Sequence, residues 1–439
     1  MEIIKANKEN EYRFLIEMKK RAGAINLSAN AAVLDIINEV RENGDAAVRG
    51  FGLKFDGACP ERLEVSKEEM QQAWDGIDES LKKALLHAKK NIETYHEKQV
   101  RQGYEIKKDK GVILGQTVRA LARVGIYVPG GTAAYPSTVL MNAVPAKIAG
   151  VDEIIMVTPP IIEKREGLDT ICRANDDILA AAYLAGVDRI FLTGGAQAVA
   201  ALTFGTESIP MVDKIVGPGN IFVATAKKLL YGQVDIDMIA GPSEILVLAD
   251  GDADPAYIAA DLLSQAEHDV MASAVLLTTS EQIAEETRKE IVIQTGRLER
   301  KEIVEKSLAD FSAVIICKDM EEMLDLANFI APEHLELMVK EPMNYLPQVK
   351  NAGSVFCGDY APEPLGDYLS GTNHVLPTSG TARFSSPLGV DSFIKKMSYT
   401  YYTKEALADD RDDIITIAEK EGLGAHANSI KVRFEQDDI

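Results

Sequence analysis

Ala122 to Thr158, ARVGIYVPGGTAAYPSTVLMNAVPAKIAGVDEIIMVT, decides the fold. It opens on a short β-branched run, ARVGIYV, crosses a loop rich in glycine and proline, and continues as the helical stretch STVLMNAVPAKIAG. A second β-branched run, DEIIMVT, closes it. Strand, helix and strand in that order predict a parallel βαβ unit. The pattern goes on through the helix DDILAAAYLAG, the strand RIFLTG, the helix AQAVAALTFG, the strand DKIVGPG and the helix IFVATAKKLL. A sheet built this way is covered on both faces, uses right-handed crossovers and binds ligands beyond the carboxyl ends of its strands.

The loops at those ends are glycine-rich: VPGGTAAYPST (128–138), TGGAQA (193–198) and VGPGN (216–220). Each can bring backbone N–H groups close to a phosphate with a helix N-terminus behind it. None is the GxGxxG fingerprint or the GxxxxGK[ST] loop, and each taken singly reads as an ordinary tight turn. Together in one sheet they point to a nucleotide-type crevice.

Beyond MIAGPSEILVLAD the alternation resumes, with a helix over 255–267, the strand SAVLLTT, the helix EQIAEETRKEIVIQ, the strand SAVIIC, the helix MEEMLDLANFI and the strands LELMV and AGSVFCG. This is a second α/β domain beginning near Gly241. Residues up to about Val100 read as helices, with a capping box at Ser66 and Glu69. A polar, hairpin-like passage, GYEIKKDKGVILGQTVRAL, leads from them into the body. After Thr381 the chain changes again, to an extended DSFIKKMSYTYYT, a helix ending at Gly422 and a last segment containing His426. The apolar and aromatic residues of this tail suggest docking on a second subunit.

With 439 residues, 46% of them hydrophobic, the chain is ample for more than one core. Its formal net charge of -21 argues against a nucleic-acid partner, because phosphate contacts need a basic face. No stretch has the apolar length of a membrane helix and the first residues are too polar for a secretory signal, so a cytoplasmic protein is expected. Cys59, Cys172, Cys317 and Cys357 form no CxxC pair, which suggests neither a disulfide framework nor a thiolate zinc site.

Chemistry concentrates in the second half. In LLSQAEHD (262–269), Gln265 and His268 lie three residues apart at the end of a helix begun by Asp254-Pro255, so an amide oxygen and an imidazole can face one ion. The plainer reading is a polar helix end in water. In APEHLE (331–336), Glu333 and His334 fall between a helix and a strand, a carboxylate and an imidazole that could act as bases with separate tasks. The long loop PLGDYLSGTNHVLPTSGTA (364–382) carries Asp367 and His374, and EGLGAH carries His426. Gln265, His268, Asp367 and His426 offer only nitrogen and oxygen donors, a set suited to zinc or manganese. Spacing alone does not bring the four together.

The strings VGIYVPGG, GGAQAVAALTFGTESIP, VDKIVGPGN, AGPSEILV, LLSQAEHD, APEHLE, GDYLSGTNHVLPT and EGLGAH occur in one order, from about residue 25 to the C-terminus. In that order they resemble the histidinol dehydrogenases. The resemblance implies oxidation of L-histidinol through histidinaldehyde to L-histidine with NAD, the last steps of histidine biosynthesis. It implies one zinc per subunit, held by Gln265, His268, Asp367 and His426. The tail histidine would come from the partner of a homodimer. Glu333 and His334 take the acid–base roles by this resemblance. Ser243, His374 and Glu421 would contact substrate together with the zinc ligands and His334, and Tyr127, Gln197 and Asn220 would lie on the NAD side.

The fold expected is two Rossmann-like, incomplete doubly wound domains with an N-terminal helical region and a C-terminal dimerisation tail. Its parts are a helical region over 1–120, an NAD-side domain over 121–240, a metal and catalytic domain over 241–381 and the tail over 382–439. The stretch PPIIEKREGLDTICRANDD (159–177) reads as a surface insertion. Two other enzymes are compatible with this layout. An aldehyde dehydrogenase-like mechanism needs a nucleophilic cysteine beside a base, which none of the four cysteines provides. A zinc hydrolase would leave the glycine-rich loops without a purpose. A non-catalytic binding protein would not need both candidate bases. The rate should rise toward alkaline pH, because His334 and the alcohol must both lose protons.

Overall fold

The computed structural model describes residues 1–24, 29–130, 135–163 and 171–435. Positions 131–134 of the first glycine-rich loop and 164–170 of the expected insertion lie outside the described residues. The chain forms two compact units, Met1–Gln99 with Leu121–Phe393, and Val100–Ala120 with Ile394–Ile439.

The first unit holds two six-stranded sheets, and the expected α/β class is what they build. In one the strand order is Asp235–Ile236, Lys214–Val216, Arg123–Tyr127, Glu153–Thr158, Arg189–Leu192, Glu64–Val65, parallel except for the last pair. In the other it is Glu2–Lys5, Ala313–Ile316, Ser273–Thr278, Glu244–Ala249, His334–Met338, Ser354–Cys357, parallel throughout. The region read as all-helical therefore supplies an edge strand to each sheet. Those strands are four and two residues long, too short to show a period, and they exist only through pairing with distant partners.

Successive residues of a strand point to opposite faces, and here both faces are buried. Val124 and Ile126 of the first sheet join one apolar cluster, while Tyr127 and Ile215 join another. In the second sheet Leu246, Leu248 and Leu335 pack on one side and Ile245, Val247 and Leu276 on the other. Helix starts follow local chemistry. Ser66 and Glu69 form the expected capping box, and Asp254 caps Pro255–Ala266 by accepting from the amide of Ala256.

In the second unit the hairpin-like passage becomes the antiparallel strands Tyr104–Lys107 and Ile113–Ala120. The strand Ile394–Tyr401 adds to Ile113–Ala120, and the helices Lys404–Lys420 and Gly424–Lys431 follow. Among the described residues no helix is long and apolar enough to cross a membrane.

Candidate active site

Glu244 opens its strand one residue before Ile245, which pairs with His334 of the neighbouring strand. Its peptide group addresses both candidate bases. The amide of Glu244 donates to Glu333 Oε2 at 2.9 Å, and its carbonyl stands 3.0 Å from His334 Nδ1. A carbonyl only accepts, so Nδ1 carries the proton and Nε2 holds the lone pair. That Nε2 is buried without a hydrogen-bond partner and lies 3.9 Å from Glu363 Oε1. His334 is thus a neutral base aimed inward. Its side chain was expected in the turn before the strand; it is instead the strand's first residue, and this is what places its ring over the Glu244 carbonyl.

Burial pushes His334 down to about 4, because an imidazolium there would lose its water. Burial also raises Glu333 well above the usual carboxylate range, against the Glu244 amide and with help from the charges of Glu244, Asp367 and Glu363. The two bases stand 3.7 Å apart, Glu333 Oε2 to His334 Nδ1.

His334, Glu363 and Asp367 offer ligand atoms within 4.8 Å of one another. Asp367 sits on the short helix Glu363–Tyr368, inside a stretch read as loop; six residues are too few for a helical period to show. Its backbone carbonyl is 3.2 Å from Nδ1 of half-buried His374, whose Nε2 lies 3.5 Å from Thr138 Oγ1. Gln265 is buried, and its Oε1 has no hydrogen-bond partner. A buried amide oxygen left so is costly unless something accepts its lone pair, and a cation does that. The nitrogen and oxygen donors of His334, Glu363 and Asp367 are of the kind that could hold a metal ion such as zinc.

The helix was expected to run to residue 267 with Gln265 and His268 on one face. It ends at Ala266, and His268 lies exposed in the turn beyond. The last turn tightens as the His268 amide donates to the Gln265 carbonyl at 3.2 Å, which keeps the pair together. The charge of His268 acts on both His334 and His374. Ser243 is half-buried just ahead of Glu244. Glu421 and His426 lie exposed in the second unit, one capping the helix Lys404–Lys420 and the other on Gly424–Lys431.

Tyr127, Gln197 and Asn220 line one pocket of about 1010 Å³, with Pro129, Gly130, Gly194 and Gly195. The Tyr127 hydroxyl accepts from the Gly195 amide at 2.9 Å, and burial pushes it up to about 12. Asn220 caps the helix Ile221–Leu230 by accepting from the amides of Phe222 and Val223.

The two sheets present their candidate residues at opposite edges, and the carboxyl-end expectation concerned the first sheet alone. Tyr127 ends its strand, and Gln197 and Asn220 follow the carboxyl ends of theirs. Ser243, Glu244, Glu333 and His334 instead stand at amino ends. Crossover helices explain the difference. At carboxyl edges they present positive N-termini, suited to phosphate; at amino edges they present negative C-termini, suited to a cation. The helix Pro255–Ala266 delivers Gln265 from its C-terminus.

Glu363, Glu336 and Asp261 were not singled out from the sequence. The Glu363 amide donates to Glu336 Oε1 at 2.8 Å, and burial raises Glu363 to about 8 and Asp261 to about 6. Nothing in the local pattern separates these carboxylates from surface ones; a glutamate two places along from His334 on a buried strand was the one available signal.

Parallel sheets, a pocket lined by the glycine-rich loops and a buried carboxylate–imidazole pair beside a cluster that could hold a metal are consistent with an α/β oxidoreductase. The sequence profile of the histidinol dehydrogenases matches residues 19–434, and the chain belongs to that family. A histidinol dehydrogenase of Clostridium acetobutylicum is 55% identical over 96% of both chains, and one of Listeria monocytogenes is 56% identical over 94% of both. The crystal structure of histidinol dehydrogenase from Elizabethkingia anophelis, 37% identical, superposes with a TM-score of 0.90 over 100% of this chain and 99% of that one.

Proposed function

We propose that this chain oxidises L-histidinol to L-histidine in two NAD-linked steps, as a zinc-dependent homodimer in the cytoplasm. NAD, when bound, would accept hydride, and a bound zinc would orient the substrate. Gln265, His268 and Asp367 would hold it from one subunit, with His426 from the partner. His334 takes the hydroxyl proton on Nε2 as the first hydride leaves. Glu333, once ionised, takes a proton from the water that adds to the aldehyde carbon. The hydrate anion so formed would then lose its second hydride, giving the acid. Ser243, His374 and Glu421 contact substrate, and Tyr127, Gln197 and Asn220 line the cofactor pocket.

The observation that supports this most directly is the bond pair from one peptide group, Glu244, to both bases, which leaves His334 Nε2 unprotonated and facing Glu363. A thiol nucleophile is not favoured: Cys59, Cys172, Cys317 and Cys357 are free, and burial raises each thiol above its ordinary value.

The test is NADH formed per L-histidinol consumed, for zinc-loaded, chelated and His426→Ala protein. Two NADH per substrate are expected, with turnover lost on chelation and in the variant. One NADH with accumulating aldehyde would remove the hydration role from Glu333, and no NADH at all would reject the whole reading.

A further inference from the structure

Gly217, in the VGPGN loop, is held from both sides of its peptide by one buried ion pair. Lys227 Nζ donates to the Gly217 carbonyl at 2.9 Å, and the Gly217 amide donates to Asp237 Oδ2 at 2.8 Å. Lys227 and Asp237 also pair with each other, with side chains 3% and 1% exposed. Gly217 has φ +105, and a Cβ there would stand 2.2 Å from the Tyr127 carbonyl, so the loop is pressed against the strand that ends in the cofactor pocket. Three residues on, Asn220 starts the helix Ile221–Leu230, and both Asn220 and Phe222 line that pocket. Asp237 Oδ1 in turn accepts from the amide of Met238, the first residue of the segment leading to Ser243 and Glu244.

Buried ion pairs add little net stability over apolar residues of similar size, so their placement is informative. In this one each partner makes a hydrogen bond to a single glycine, three residues ahead of pocket-lining Asn220. We propose that Lys227 and Asp237 are positioning residues for the dinucleotide: they set the 216–220 loop and the start of the following helix at the distance the phosphates require. The proposal rests on the NAD reading of the pocket given above.

Three variants of the zinc-loaded protein test it: Asp237→Asn, which is isosteric and keeps an acceptor for the Gly217 amide, Lys227→Met, and the double variant, which leaves no unpaired buried charge. KM for NAD should rise about fivefold or more in the double variant and less in Asp237→Asn, while KM for L-histidinol and zinc content stay at parental values. A folded double variant with parental KM for NAD overturns the proposal. So does an equal rise in both KM values, or failure of all three to fold, since either assigns the pair to the core alone. Gln197→Ala is measured alongside. If it raises KM for NAD and the pair variants do not, only the positioning role falls; if it too has no effect, the pocket is not the cofactor site.

Discussion

His334 and Glu333 show how one environment can push two bases in opposite directions. Desolvation disfavours whichever form is charged, so it lowers the imidazole and raises the carboxyl. The consequence changes the reason for an alkaline rate rise. With its pKa near 4, His334 is already neutral at pH 7 and needs no further deprotonation. Glu333 is the group whose ionisation is delayed, so activity should climb as pH rises through its elevated value. Glu333→Gln keeps an oxygen for the Glu244 amide but cannot act as a base. Expected is a loss of histidinaldehyde oxidation of roughly 10²- to 10⁴-fold, with the alkaline rise abolished. A stopped-flow pH profile of NADH formation checks this; a variant that keeps the parental pH dependence would mean another group titrates. Glu333, His334, Gln265 and Asp367 were singled out in the sequence because each sits in a distinctive short string. Glu363 was not, because burial of a carboxylate is a property of its neighbours.

At the scale of elements, helix ends do the selecting. The N-termini of Gly195–Phe204 and Ile221–Leu230 face the pocket with Gln197 and Asn220, and the C-terminus of Pro255–Ala266 faces the donor cluster. Asn220 has two readings, an N-cap and a cofactor contact, and the cap bonds alone explain its presence. Asn220→Asp separates them. Aspartate caps as well as asparagine, so stability should stay within about 0.5 kcal/mol. A new carboxylate beside the cofactor phosphates should nonetheless raise KM for NAD several-fold. Parental KM with parental Tm would leave Asn220 as a cap only. The long helices and the central strands were legible from their periods. The strands Glu2–Lys5 and Glu64–Val65 and the helix Glu363–Tyr368 were not, each being shorter than the period that would reveal it.

At the scale of the molecule, the proposed catalytic pair and three of the four proposed zinc ligands belong to one compact unit, and His426 belongs to the other. The unit carrying His426 joins residues 100–120 to the C-terminal strand and helices by antiparallel pairing across nearly three hundred positions. If the tail histidine serves the partner's site, subunits defective in different ways should complement. Mixing His426→Ala with Glu333→Gln subunits after dissociation and reassociation should restore activity toward about a quarter of the parental level, since half the dimers would then hold one intact site. Activity no higher than that of either parent variant would place His426 in its own subunit's site or in none.

The alternation of the long helices with the central strands and the class of fold were determined by the sequence, because periodicity is local and survives without a partner. The tertiary structure alone decided which edge of each sheet is used, which proton His334 carries and which carboxylates are buried. Each of those depends on atoms brought together from distant parts of the chain: the carbonyl of Glu244 lies ninety residues from the imidazole it orients. A pattern in sequence records what a residue is, and only packing sets the field and the solvent that decide what it can do.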